Sequence, residues 1–269
     1  MEERKIMEKR TTDFLIIFIL FAITSSLNAE IESQRKMLFF FDKIEVNGKV
    51  DVFLKKGKRL REATIYADSE IINFIKAKVS RKTLFIDANN TYNIARRLPF
   101  IRLKAERTYP VEIIISIEDV SEIRLLGQSN LTAQNLSTKE VSLIMKSSGK
   151  LHIENVLSEK LNVIHEGSGN IVLKGNTIQE LKVKISENGS FTADELEVER
   201  ATLIHQGNGI VHLKPKLWMD ARMYGSGNLF LHSKPVSLVV DKQGTGSVSD
   251  ILPNTPPLYD LNASERRQN

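Results

Sequence analysis

The chain of 269 residues contains no cysteine. That absence excludes disulfides, thiol catalysis and thiolate metal sites, and with them lipid attachment through an N-terminal cysteine. Long apolar runs are also scarce. Residues 14–23 form the one clear example, and ten residues fall short of the roughly 20 that a membrane-spanning helix needs. Arg4, Lys5, Lys9 and Arg10 precede the run, and a small-residue stretch ending in Ala29 follows it. This is the pattern of a secretory signal peptide cut after Ala29, with an uncleaved anchor as the alternative. No second candidate span follows, so the expected destination is the periplasm, the outer envelope or the medium. Charge of one sign is not in large excess either. The formal net charge is +5, a mild basicity that favours anionic envelope polymers only weakly.

What the chain does have is a Gly-centred corner at nearly constant spacing. The middle residues of successive corners are Ser129, Gly149, Gly169, Gly189, Gly209, Gly227 and Gly246, at intervals of 20, 20, 20, 20, 18 and 19 by subtraction. A repeat of this length is the mark of a solenoid. Counting from the first corner residues (Gly127, Ser147, Gly167, Glu187, Gly207, Gly225 and Gly244), even offsets are apolar. Four positions before them stand Ile123, Leu143, Val163, Val183, Leu203, Ala221 and Val240; four after stand Leu131, Leu151, Ile171, Phe191, Val211, Leu229 and Val248. Alternation with period two means strand. The corner glycines fall on the inward register, where a bend leaves least room for a side chain. Asn130, Asn170 and Asn228, just past the corner, read as residues that tolerate left-handed backbone, with a polar ladder for sugar hydroxyls as the alternative.

The expected fold is therefore all-β: a single-stranded right-handed parallel β-helix, a solenoid with a period of about 20 residues and rungs about 4.8 Å apart. A leucine-rich repeat has a similar period but needs a helical return that these units lack. The expected division is a signal peptide over 1–29, irregular N-terminal β rungs forming a cap over 30–119, regular repeats over 120–252 and a disordered tail over 253–269.

The segment Phe41-Asp42-Lys43-Ile44-Glu45-Val46-Asn47-Gly48-Lys49-Val50-Asp51-Val52, together with Pro110-Val111-Glu112-Ile113 and the Gly-Ser-Gly-Asn corners at 167–170 and 225–228, resembles the head GIN domain family, labelled an auto-transporter adhesin. The resemblance extends over about 39–250. It implies a β-helix-like stack, export and adhesion, and is nearly silent on chemistry. An auto-transporter ends in a membrane barrel of strands about ten residues long; here the last residues are polar and contain proline, so adhesion is expected without a self-supplied pore.

Enzymes on such scaffolds place acidic or basic residues on outward columns of adjacent rungs. Here Glu166 stands beside Lys146 and Ser186, and Asp241 beside Arg222, with no two acids on neighbouring rungs as glycoside hydrolysis requires. No catalytic residue is expected, and a polysaccharide lyase or hydrolase is kept as the alternative. His165 and His205 share an inward column two rungs apart, and His152 and His212 an outward one three rungs apart. Both gaps are too wide for one ion, so neither a metal nor a cofactor is expected. The basic, partly aromatic stretch holding Arg96, Arg97, Arg102, Lys104, Arg107 and Tyr109 is the candidate ligand-binding segment. Its expected partner is an anionic polysaccharide or another envelope protein, not nucleic acid. Ile144, Ile164 and Ile204 form a broken apolar outer stripe that points to self-association. The expected function is a non-enzymatic, adhesin-like binding or structural module of the cell envelope.

Overall fold

A strand that is apolar at every second residue buries those side chains only when other strands close off the same face, and this chain achieves that by stacking on itself. The computed structural model describes residues 30–55, 61–88, 91–93, 106–117 and 119–250, with backbone alone for 91–93 and 106–108. The expected leader and tail lie outside the described residues.

The N-terminal part contains β1 (Ile31–Met37), β2 (Lys43–Gly48), β3 (Asp51–Lys55), β4 (Glu62–Asp68), a single 3-10 turn Ile72–Phe74, β5 (Lys76–Ser80), β6 (Thr83–Ala88), β7 (Thr91–Asn93), β8 (Glu106–Thr108) and β9 (Val111–Ser116). The repeats follow as β10 (Glu122–Gly127), β11 (Asn130–Ser137), β12 (Glu140–Ser147), β13 (Lys150–Leu157), β14 (Lys160–His165), β15 (Asn170–Gly175), β16 (Thr177–Ile185), β17 (Ser190–His205), β18 (Val211–Met223), β19 (Leu229–Leu231), β20 (Ser237–Lys242) and β21 (Val248–Asp250).

These strands form a parallel β-solenoid. Along one side Ile123 pairs in register with Leu143, then Val163, Val183, Leu203, Ala221 and Val240. Along the other, Leu131 leads to Leu151, Ile171, Phe191, Val211, Leu229 and Val248. These are the two columns expected from the alternation, and all their members are buried except Val240 in the last rung. Burial of each such side chain contributes about 1.5–3 kcal/mol.

The N-terminal rungs are not stacked in chain order. β2 and β3 insert between the repeats and the later strands β6 and β9: Ile44 pairs with both Ile123 and Leu84, and Val52 with both Leu131 and Ile113. The end is then closed by antiparallel strands, β5 on β6 and the ribbon β1–β4–β9. Between β6 and β9 in sequence lies a separate antiparallel pair, β7–β8.

The corner glycines are needed for lack of room, as their inward register implied, and the crowding comes from the neighbouring rung. Only Gly48 and Gly127 have positive φ; the others are required because successive corners nearly touch. A Cβ on Gly209 would stand 1.9 Å from the carbonyl oxygen of Gly189 in the rung before it. The asparagine reading is corrected. Asn130, Asn170 and Asn228 do not adopt left-handed backbone; Asn135 and Asn155 do, with φ of 57° and 56°. They form a second corner, where Asn155 Nδ2 donates to Asn135 Oδ1 at 2.5 Å. Beyond it the inward register slips by one residue, from Ala133 to Leu136 and from Ile153 to Val156. Asn130 instead joins rungs, donating to Asp51 Oδ1 at 2.7 Å and accepting the Lys150 N–H at 2.7 Å.

Replacing Gly209 by Ala is expected to destabilise the protein by about 1–3 kcal/mol or more, because a backbone carbonyl has no rotamer by which to move aside. Ile210→Thr, at an exposed neighbouring position, should stay within about 0.5 kcal/mol. Urea unfolding midpoints of the two variants check the difference.

Candidate functional site

Along the long sides of the solenoid many charges pair with one another. Lys146 lies 2.7 Å from Glu166, Lys174 2.7 Å from Glu195, and Lys182 2.9 Å from Glu180. Hydrogen bonding to these lysines holds Glu166 and Glu180 below the ordinary carboxylate range. Glu197 is pushed down to about 2 by hydrogen bonds from Lys216 and then Lys214. Carboxylates held ionised in this way do not serve as proton donors near neutral pH. Arg222 reaches Asp220 at 3.1 Å, and Asp241 accepts from Gln243 Nε2 at 3.3 Å. Ile144, Ile164 and Ile204 are all half-buried, and Lys184 interrupts their column between Ile164 and Ile204.

The two inward histidines belong to the corners. His165 Nε2 is bonded to the Gly169 carbonyl oxygen at 2.9 Å, and His205 Nε2 to that of Gly209 at 2.8 Å. Both side chains are fully buried. Each ring fills the space that a glycine leaves in a later rung: a Cβ on Gly189 would lie 2.0 Å from His165 Nε2, and one on Gly227 2.2 Å from His205 Nε2. Burial lowers both pKa values from 6.5 against the opposing effect of those hydrogen bonds, so the rings are neutral and donate from Nε2.

At the N-terminal end the side-chain pattern changes. Met37 and Phe39 are 73% and 83% exposed, and Phe40 is 54% exposed; clustered apolar exposure of this kind marks interaction surfaces. The Arg61 guanidinium and the Lys82 ammonium each lie 5.9 Å from the Phe40 ring centre, within cation–π range. Both have left-handed backbone, with φ of 64° at Arg61 and 62° at Lys82, the latter in the two-residue turn between β5 and β6. The Leu38 N–H donates to the Arg61 carbonyl and the Asp42 N–H to that of Lys82, at 2.8 and 3.0 Å. Beside Phe40 opens a cavity of about 360 Å³, lined also by Asp42, Arg61, Asp119, Ser121 and Thr138. Asp42 Oδ1 is buried there and accepts no hydrogen bond from the described residues, although buried acceptors are normally paired.

Of the residues singled out in the sequence, Arg96, Arg97, Arg102 and Lys104 lie outside the described residues. Arg107 is on β8, where the backbone alone is described. Tyr109 does not belong to a surface site. It is 4% exposed and its hydroxyl donates to Glu70 Oε2 at 2.7 Å, which ties the start of β9 to the cap. The cluster around Phe40 went unrecognised because it precedes the first regular corner; the signal available was the run Leu38-Phe39-Phe40-Phe41, too apolar in sequence for an exposed segment.

The profile of the family described as putative auto-transporter adhesin, head GIN domain, matches residues 40–235, and the chain belongs to that family. Among solved structures it is similar to a putative adhesin from Bacteroides fragilis at 20% identity and a TM-score of 0.71, over 83% of this chain and 98% of that one. It is also similar to a putative adhesin and to a putative lipid binding protein, both from Parabacteroides distasonis. The first is 16% identical with a TM-score of 0.53 and the second 17% identical with a TM-score of 0.56; each likeness covers 83% of this chain and 98% of the other. No curated protein matches the chain. At these identities the likeness shows the fold. Among the described residues no helix is long and apolar enough to cross a membrane.

The buried histidines generate a pH dependence. The unfolded chain takes up protons on them as pH falls through 6.5, whereas the folded chain resists doing so. Their stabilising contribution is therefore complete above that value and lost below it, at up to about 1.4 kcal/mol per pH unit for each ring. Urea midpoints measured between about pH 7.5 and 5 should fall with pH. The double variant H165M/H205M, which extends a column already occupied by Met145 and Met223, should lose that part of the slope.

Proposed function

We propose that the protein is an exported module of the cell envelope that binds an acidic glycan at its N-terminal end and carries out no catalysis. The observation behind this reading is Phe40, exposed between Arg61 and Lys82 at the mouth of a cavity holding the unpaired Asp42 oxygen. Each part has a counterpart in a charged sugar polymer. An aromatic face packs on the C–H face of a pyranose ring, the two cations pair with carboxylate or sulfate substituents, and a buried carboxylate oxygen accepts a hydroxyl hydrogen. The leader-like N-terminus in the sequence and the adhesin description of the family support export and binding. The solenoid itself serves as a rigid spacer that presents this end.

One observation favours a second reading, a carbohydrate-active enzyme: Asp42 and Asp119 line the same cavity, and paired carboxylates are what glycoside hydrolysis uses. Titration of the protein with polygalacturonate, alginate and a neutral glucan separates the two. Binding of the acidic polymers alone is expected, weakened about tenfold or more, or about 1.4 kcal/mol, in F40A/R61Q/K82Q. Shortening of any polymer, abolished in D42N or D119N, would replace the binding reading with the enzymatic one.

A further inference from the structure

His212 and His232 are twenty residues apart in a stretch where the unit has shortened to 18, so they are not register partners. His212 pairs instead with Phe230, and His232 follows two residues later. The result is a close contact between two rings on the outside of the solenoid, with His212 Nδ1 2.9 Å from His232 Nε2. Both positions are fixed independently. Phe230 stacks on the His212 ring with centres 5.1 Å apart and planes 19° apart, and the His232 N–H donates to the Leu213 carbonyl at 2.8 Å. The Ser233 hydroxyl holds the next residue to the Pro215 carbonyl. The rings are half-buried and therefore reachable from solvent.

Two nitrogens this close cannot both carry a proton toward each other; one proton at most lies between them. The Asp194 carboxylate is near enough to His212 to favour positive charge there. The pair thus has lone pairs to offer and a carboxylate whose field compensates an added cation. Ligand type selects the cation: imidazole nitrogens suit copper, nickel and zinc, and of the divalent first-row ions copper binds such donors most tightly.

We propose that His212 and His232 form a surface site for a divalent copper ion, or nickel in its place, bound through His212 Nδ1 and His232 Nε2; the proton that lay between them moves to the outer nitrogen of the ring that carried it, so both imidazoles stay neutral. Water completes the coordination, because among the described residues no group of three or more His, Asp or Glu is placed around a single ion. The remaining histidines offer no such pair. His165 and His205 are committed to corner carbonyls, and His152 faces Glu154 at 3.3 Å.

Trp218, the only tryptophan, lies six residues from His212 on the same strand and provides the readout. Titrating untagged protein with copper(II) should quench its fluorescence with an end point at one ion per chain. The electron paramagnetic resonance spectrum of the unmodified complex should be axial with two coordinated nitrogens. H212N and H232N should each weaken binding at least tenfold, with unchanged circular dichroism, and H152N should not. Absence of binding, one coordinated nitrogen, or full binding in H212N or H232N would overturn the assignment, and the nitrogen count on the unmodified protein decides the matter even where a variant fails to fold.

Discussion

The structure depends on how closely one rung's corner approaches the next. Parallel strands must stack at about 4.8 Å to form their ladders, and where the chain also turns, the backbone of one corner lies directly on the backbone of another. The carbonyl oxygens of Gly189, Gly207, Gly225 and Gly227 each stand within 2 Å of where a Cβ of the following corner would be. Side-chain volume is therefore forbidden at the middle of every corner from Gly149 to Gly246, and the rest of the core is arranged around that exclusion. His165 and His205 are the clearest case, since their rings occupy the volume left free by glycines of a later rung and hydrogen-bond the corner of their own. A polar ring is tolerated in this core because the corner carbonyl it meets lies inside the solenoid and accepts its proton.

Where this exclusion recurs at a constant interval, the sequence was legible to the level of individual pairs. The columns from Ile123 to Val240 and from Leu131 to Val248 follow from counting alone. Legibility failed where the chain stopped moving forward one rung at a time. Ile44 and Ile123 are neighbours in space across 79 residues of sequence, and no local period encodes the return of β6 and β9 to the outer side of β2 and β3. The second corner was missed for a different reason. Asn135 and Asn155 absorb a one-residue slip, and a slip is invisible to a template that assumes strict alternation. At Tyr109 it was composition that misled, an aromatic next to basic residues that in the structure faces inward to Glu70. The His212–His232 contact was obscured because the shortened unit displaced the pairing to Phe230.

Charge follows the same division between regular and irregular parts. In the regular rungs a lysine and a glutamate one rung apart recur on the outer faces, as at Lys139–Glu159, Lys146–Glu166 and Lys160–Glu180. Exposed pairs of this kind contribute little stability, on the order of 0–1 kcal/mol each. Their larger effect is to leave few strong charges on these faces available to a ligand.

The ends cannot be neutralised in this way, because the last strand of a stack has no further rung to supply its partners. At the N-terminal end the antiparallel ribbons cover the apolar columns, yet the turns needed to reverse the chain put Arg61 and Lys82 into left-handed backbone and leave Phe39 and Phe40 outside the core. The geometry that closes the solenoid thus also generates its most unsatisfied surface. A binding function placed there requires no departure from the folding rules of the repeat, since it uses groups that the closure of the stack had already left on the surface. A function placed on the long sides would have to compete with the ion pairs and inter-rung hydrogen bonds that occupy much of them.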